Sequence, residues 1–164
     1  MTETSCGPRK RGSAERVRAF LAEHGRAEDI VEFETLTKTA QQAADVMGCE
    51  LGQIVKSLVF DVDGTVVVAL VAGDRRGDGT AITQEAGGTD ARLADADTVR
   101  AATGYAIGGV SPFDLPEGLS VLLDESLSRF DLLYPAAGTP SSMVRMTLDD
   151  LRRITTARMA RISH

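Results

Sequence analysis

Ile54-Val55-Lys56-Ser57-Leu58-Val59-Phe60-Asp61-Val62-Asp63-Gly64-Thr65-Val66-Val67-Val68-Ala69-Leu70-Val71 is the stretch on which the fold turns. Two β-branched runs, Ile54 to Phe60 and Thr65 to Val71, carry the period of two expected of strands. Asp63-Gly64 between them is the pair that a two-residue hairpin turn demands. An antiparallel strand pair is therefore predicted at the centre of the chain. Around it helix and strand patterns alternate irregularly, so the expectation is a single α/β domain of the α+β type with a mixed sheet flanked by helices.

Working outward, residues 1–12 mix Thr, Ser, Gly, Pro and basic side chains without an apolar period and read as a tail, leaving 13–164 as the domain. Ser13 stands where an N-cap belongs; Val17, Phe20, Leu21 and His24 follow at helical spacing, and Gly25 closes the segment. Ile30 to Glu34 alternates as a half-buried strand would. Thr39 caps a second helix, whose apolar face is Ala40, Ala43, Ala44 and Met47 before Gly48. Beyond the hairpin, Gly73 to Gly79 reads as a loop, and helices are predicted over Ala81 to Ala86, Asp97 to Thr103 and Asp149 to Ile154. Strands are predicted over Leu119 to Leu123, Leu132 to Tyr134, Met143 to Thr147 and Ala157 to Ile162.

A chain of 164 residues suits one core. Tryptophan is absent, so the core must be mostly aliphatic and few rings are available to stack on bases. The formal net charge of −6 excludes a surface that grips phosphates throughout, and any nucleic-acid contact must be local. Positive charge gathers at Arg9, Lys10 and Arg11 and again at Arg145, Arg152, Arg153, Arg158 and Arg161. These are read either as a tail and a solvated helix face or as a tRNA-contacting surface. With Cys6 and Cys49 as the only cysteines no structural disulfide is expected, and Cys49 after a helix reads as filler before it reads as a nucleophile. The longest aliphatic stretch, Val66 to Ala72, is far too short to span a membrane, and the expected location is the cytoplasm.

Phe60-Asp61-Val62-Asp63-Gly64-Thr65 also reproduces a DxDGT phosphatase signature, in which the first Asp is the nucleophile. That chemistry needs a later Lys and an acidic pair for Mg²⁺. All three lysines precede the motif, and Asp149-Asp150 stand at a helix start, where acids are expected for dipole reasons. The turn explains Asp63-Gly64, and the phosphatase reading is refused.

Gly108-Gly109-Val110-Ser111-Pro112 is the second informative stretch. Two glycines let main chain approach a ligand, the proline fixes the exit of the loop, and Lys56 can answer a negative charge: together, a site for an ester or phosphate built largely from backbone. Read alone, the same residues are equally a tight turn and a lysine reaching solvent from a strand end.

Taken in order, several blocks resemble the YbaK-type, prolyl-tRNA-synthetase-associated editing family. They are Thr39-Ala40-Gln41-Gln42-Ala43-Ala44, the run Ile54 to Phe60, Gly73-Asp74-Arg75, Thr103-Gly104-Tyr105, Ile107 to Phe113, Leu123 to Leu127 and Ala136-Ala137-Gly138. The resemblance implies a barrel-like mixed sheet and hydrolysis of amino acids wrongly attached to tRNA, notably cysteine or alanine on proline tRNA. Its partner is the 3′ end of an aminoacyl-tRNA, met by a free-standing enzyme acting alone or beside prolyl-tRNA synthetase. No metal and no cofactor are expected.

The family's pocket lysine falls on Lys56 and its GxxxP loop on Gly108 to Pro112. Lys56 is then an anchor near the terminal adenosine, backbone N–H groups around Gly108, Gly109 and Ser111 are oxyanion donors, and the Ser111 hydroxyl positions water or the substrate amine. Ser57, Val110, Pro112 and Gly138 surround the substrate. Ser57 departs from the Asn of some members, and no histidine lies between Tyr134 and Met143; His24 and His164 are poorly placed as bases. That pattern leans toward cysteine, whose own thiol attacks, over alanine. The alternative of another class is a non-catalytic module of the same fold that holds a nucleotide, a tRNA end or a protein.

Overall fold

A computed structural model describes residues 12–164; the predicted tail, apart from Gly12, lies outside the described residues. Its centre is the hairpin. β2 (Ile54–Val62) and β3 (Thr65–Ala72) pair antiparallel from Val62↔Thr65 to Val55↔Ala72. Asp63 and Gly64 take φ of +52° and +89°, the two left-handed positions of a type I′ turn. The carboxylates of the refused phosphatase motif are spent on this corner. Asp61 accepts from Gly64 N at 2.7 Å, and Asp63 accepts from Thr89 N, Thr89 Oγ1 and Asp90 N at 2.7, 2.9 and 3.1 Å.

β3 is covered on both faces, which is why it reads as an unbroken apolar run where an edge strand would alternate. On one face Val55, Val59, Val68 and Leu70 pack beneath α1 (Ser13–Glu23), α4 (Ala96–Thr103) and α5 (Leu148–Thr155) through Val17, Leu21, Val99, Leu151 and Ile154. On the other face Phe60, Val67, Ala69 and Val71 meet Ile82 of α3 (Gly79–Ala86). Each buried Val, Leu or Ile contributes about 1.5–3 kcal/mol.

The remaining strands extend the sheet outward. β5 (Ser120–Asp124) runs parallel to β3, and β8 (Arg158–Ala160) runs parallel to β5. On the far edge of β2, β4 (Ala91–Leu93) pairs antiparallel with residues 60–62, while β6 (Tyr134–Pro135) pairs parallel with Ile54 and Val55. β1 (Ile30–Glu32) and β7 (Ser142–Val144) form a separate antiparallel pair, joined to the β6 segment by the Leu133↔Met146 and Ala136↔Met143 bridges. The sheet is mixed, as expected. Its path ends at β8 without closing, so the anticipated barrel is an open sheet.

Helix ends follow the predicted chemistry with one exception. Thr39 caps α2 (Ala40–Met47) by accepting from Gln42 N, Thr147 caps α5 by accepting from Asp150 N, and Gly48 and Gly104 take the left-handed closing position. Ser13 is the first residue of α1, not its cap; Gly12 holds that place without a side-chain bond.

Candidate active site

Two short strands share one edge of β2 and leave a window between them. Ala94 N donates to Val59 O on the β4 side, and Gly73 N donates to Ile54 O on the β3 side. By the alternation of the ladder, the N–H and C=O of Ser57 point into the window, where no strand takes them. The Ser57 hydroxyl is likewise buried without a partner, the one such side-chain atom among the described residues. Buried polar groups are ordinarily paired, so an orphan at this position marks a place built for something else.

A cleft of about 270 Å³ opens on this window. Lys56, Ser57, Gly108 and Val110, from the two sequence stretches singled out above, all line it. Lys38 and Thr39 at the start of α2 line it too, with Ala43, Ala136 and Met143 as apolar wall. Sequence reasoning passed over Lys38; the signal was its place just before the helix cap, where its charge adds to the positive end of the α2 dipole. Both lysines among the described residues face this one cleft. Larger hollows of about 490 and 690 Å³ lie beside α3 and beside Arg16, but neither contains a residue of the 108–112 loop.

The Lys56 ammonium donates to the carbonyl of Arg75, in the turn that follows β3. Burial pushes its pKa below the ordinary lysine value; Asp74 draws it back up and Arg76 pushes it down. Asp74 is in turn gripped by both guanidinium nitrogens of Arg129, at 2.9 and 2.8 Å, which hold its carboxyl below the usual range. The cation is thus oriented by a main-chain oxygen, not neutralised by an ion pair.

The loop from Tyr105 to Phe113 divides into parts that face the cleft and parts that hold it. Gly109 N donates to Ala106 O at 2.9 Å, closing a turn in which Gly108 takes φ +82°. That N–H is engaged within the loop, whereas the N–H groups of Gly108 and Val110 have no partner among the described residues. Ser111 is fully buried, its hydroxyl donating to Ala136 O at 2.7 Å and accepting from Phe113 N at 3.3 Å. That hydroxyl fastens the loop to the β6 segment. Pro112 is buried behind it, outside the cleft. Tyr105 OH closes the base of the loop on Phe113 O at 2.6 Å, and burial raises its pKa to about 12.

Gly138 also lies outside the cleft. Its φ is +91°, and a Cβ there would stand 2.7 Å from Ser13 O, so it lets α1 approach. Cys49 packs against the cluster of Ala43, Ile54 and Tyr134, and burial pushes its thiol up, away from a nucleophile's range. His24 packs at a tilt against Phe20 with ring centroids 4.7 Å apart, and His164 is paired through its main chain with Arg76; neither lines the cleft. Among the described residues no three His, Cys, Asp or Glu side chains gather as metal ligands.

Comparison with known proteins bears on what such a cleft does. Residues 34–154, which contain every cleft-lining residue, match the family model of the aminoacyl-tRNA editing domain. The chain belongs to the aminoacyl-tRNA editing domain family. Editing domains of this kind are hydrolases that act on aminoacyl-tRNA. The chain is 38% identical to the uncharacterized protein YwhH of Bacillus subtilis, over 85% of this chain and 88% of that one. It is 31% identical to the multifunctional Ser/Thr-tRNA deacylase ProXp-y of Escherichia coli, over 84% and 86% of the two chains. In three dimensions it is similar to a crystal structure described as that of a candidate trans-editing enzyme for prolyl tRNA synthetase. The TM-score is 0.85 at 38% identity, covering 98% of this chain and 99% of that one.

Proposed function

We propose that this editing domain is a free-standing cytoplasmic deacylase that cleaves the ester of tRNA mischarged with a small amino acid. The observation that carries the reading is the convergence of Lys56, the α2 N-terminus, the Gly108 turn and the unpaired Ser57 main chain on one cleft. A volume of about 270 Å³ lies just below the ~300–1,000 Å³ range of small-molecule sites, which suits a small aminoacyl group with part of its ribose and disfavours an aromatic side chain. Among small side chains, Thr37, Thr39 and Ser57 give the cleft hydroxyls. Serine and threonine, named for the Escherichia coli relative, therefore join cysteine and alanine as candidate cargoes. The similarity to a candidate partner enzyme of prolyl-tRNA synthetase supports proline tRNA as one carrier.

In this mechanism Lys56 holds the ribose or an adjacent phosphate, because an ammonium fixed by the Arg75 carbonyl keeps its remaining protons for substrate. The free N–H groups of Ser57, Gly108 and Val110 are the donors for the carbonyl oxygen that becomes negative as the ester is attacked. No side chain of the cleft is a ready general base, so attack comes from water or from the substrate's own side-chain hydroxyl or thiol. Ser111 and Pro112 position the loop and do not touch substrate.

The test is a deacylation panel on tRNA charged with serine, threonine, cysteine, alanine and proline. Wild type is expected to discharge at least one small mischarged form, and Lys56→Ala to lower that rate by about 10²-fold, the usual cost of one such electrostatic contact. Equal rates for wild type and variant on every charged tRNA would sink the site assignment; a wild type that discharges none would leave a binding module.

A further inference from the structure

The chain is acidic, yet its cations are unevenly neutralised. Among the described residues seven arginines, Arg16, Arg18, Arg26, Arg92, Arg129, Arg153 and Arg158, stand in salt bridges. Eight Lys and Arg side chains do not, and five of these eight are neighbours. Lys38 and Lys56 line the cleft; the Lys56 ammonium touches the Arg75 carbonyl; Arg75 and Arg161 line one groove of about 310 Å³. Arg76 follows Arg75 and is fixed beside it by a reciprocal main-chain pair with His164, 2.9 Å in each direction. The basic C-terminal cluster of the sequence is thereby divided: Arg153 and Arg158 are paired with Asp150 and Glu85, while Arg161 is free and joins the track.

We infer that Lys38, Lys56, Arg75, Arg76 and Arg161 form a track for a single-stranded polyanion, the phosphodiesters that lead the 3′ end of a tRNA into the cleft. The acids nearby do not cancel it. Asp74 is held by Arg129, and Asp124 is turned inward onto Ser126, Ile162 and Ser163, leaving Glu125 as the exposed carboxylate of that groove. The main-chain zipper between Arg76–Asp78 and Ile162–His164 fixes the backbone from which Arg75, Arg76 and Arg161 project. The groove has no stacking ring of its own, which makes its binding electrostatic and indifferent to base.

The inference rests on the deacylase reading for the identity of the polyanion, and its test is a binding measurement that needs no turnover. A fluorescein-labelled single-stranded RNA ending in CCA is titrated with the full chain while anisotropy is followed from about 50 to about 200 mM salt. Each phosphate contact on a single strand contributes ~0.7 to the slope of log affinity against log salt. Replacing Arg75→Gln, Arg76→Gln and Arg161→Gln together is expected to flatten the slope by about 2, so that the variant loses about 16-fold less affinity than wild type across this interval. Replacing Arg100→Gln, Arg145→Gln and Arg152→Gln removes the same charge elsewhere and is expected to leave the slope near wild type. Circular dichroism confirms that each set is folded. A track variant with the wild-type slope, or a control set that flattens it equally, overturns the inference. Absence of deacylation by wild type would refute the parent reading alone.

Discussion

Replacing Asp124 by asparagine tests how a buried carboxylate ties the far end of the domain to Lys56. Asp124 is 1% exposed. Its Oδ1 accepts from Ile162 N at 2.9 Å, and its Oδ2 accepts from the Ser163 hydroxyl at 2.6 Å and from both the hydroxyl and N–H of Ser126. Burial alone would raise its pKa, but these donors outweigh burial and hold it below the ordinary value. Asparagine keeps an acceptor for Ile162 and turns an NH₂ toward the Ser126 N–H, donor against donor. One buried N–H left unpaired costs about 1–3 kcal/mol, and loss of charge assistance in the hydroxyl bonds brings the total to about 2–4 kcal/mol. At about 2–4 °C per kcal/mol for a chain of this size, Tm should fall by about 5–15 °C.

The pH dependence has a definite sign. A depressed carboxylate pKa contributes stability that is complete above the unfolded value of about 3.9 and disappears as pH falls through the lower folded value. Wild-type and Asp124→Asn melting curves should therefore be far apart at pH 7 and converge in acid. Slackening of the 162–164 segment also frees the Arg75 turn that orients Lys56, so the deacylation rate should fall at temperatures where the variant is still folded. A variant within about 1 °C of wild type at pH 7, or a gap that persists unchanged to pH ~2, would refute the reasoning.

Ser57→Ala removes a buried hydroxyl that has no partner, so urea denaturation should show a gain of up to about 1 kcal/mol, while discharge of serine or threonine slows relative to alanine. Gly108→Ala meets only backbone strain, since nothing lies within 4 Å of its new Cβ, and should cost about 1 kcal/mol. Gly138→Ala adds to comparable strain a contact 2.7 Å from a main-chain oxygen, and its larger loss of stability in the same assay separates the two glycines. Tyr105→Phe leaves the Phe113 carbonyl unpaired in the core and should cost about 1–3 kcal/mol, with no change in the pH dependence of unfolding below pH ~10 because the phenol does not ionise there.

What the sequence disclosed was local. The hairpin, the Thr39 cap and the left-handed glycines are properties of neighbouring residues, and all are present. β4 was not foreseen because three residues with Arg92 at the middle carry no strand period, and the strand predicted over Leu132 to Tyr134 is realised two residues later as Tyr134–Pro135. Those two elements frame the window over Ser57, so the most telling part of the site was invisible to any local rule. The bonds of Gly109 and Ser111 were hidden for the same reason. Spacing shows that a glycine and a hydroxyl are present, but only the folded loop shows that Ala106 and Ala136 have claimed them.

The interruption along β2 has a consequence for the company this protein keeps. A central strand stripped of its neighbour invites another polypeptide to zip onto it, the route by which sheets aggregate. Here the bare stretch, Lys56 to Val59, is bounded by β6 at one end and β4 at the other, too short for a foreign strand to find register. On the deacylase reading proposed above, a slender chain terminus enters head-on where a partner that would lie alongside is turned away.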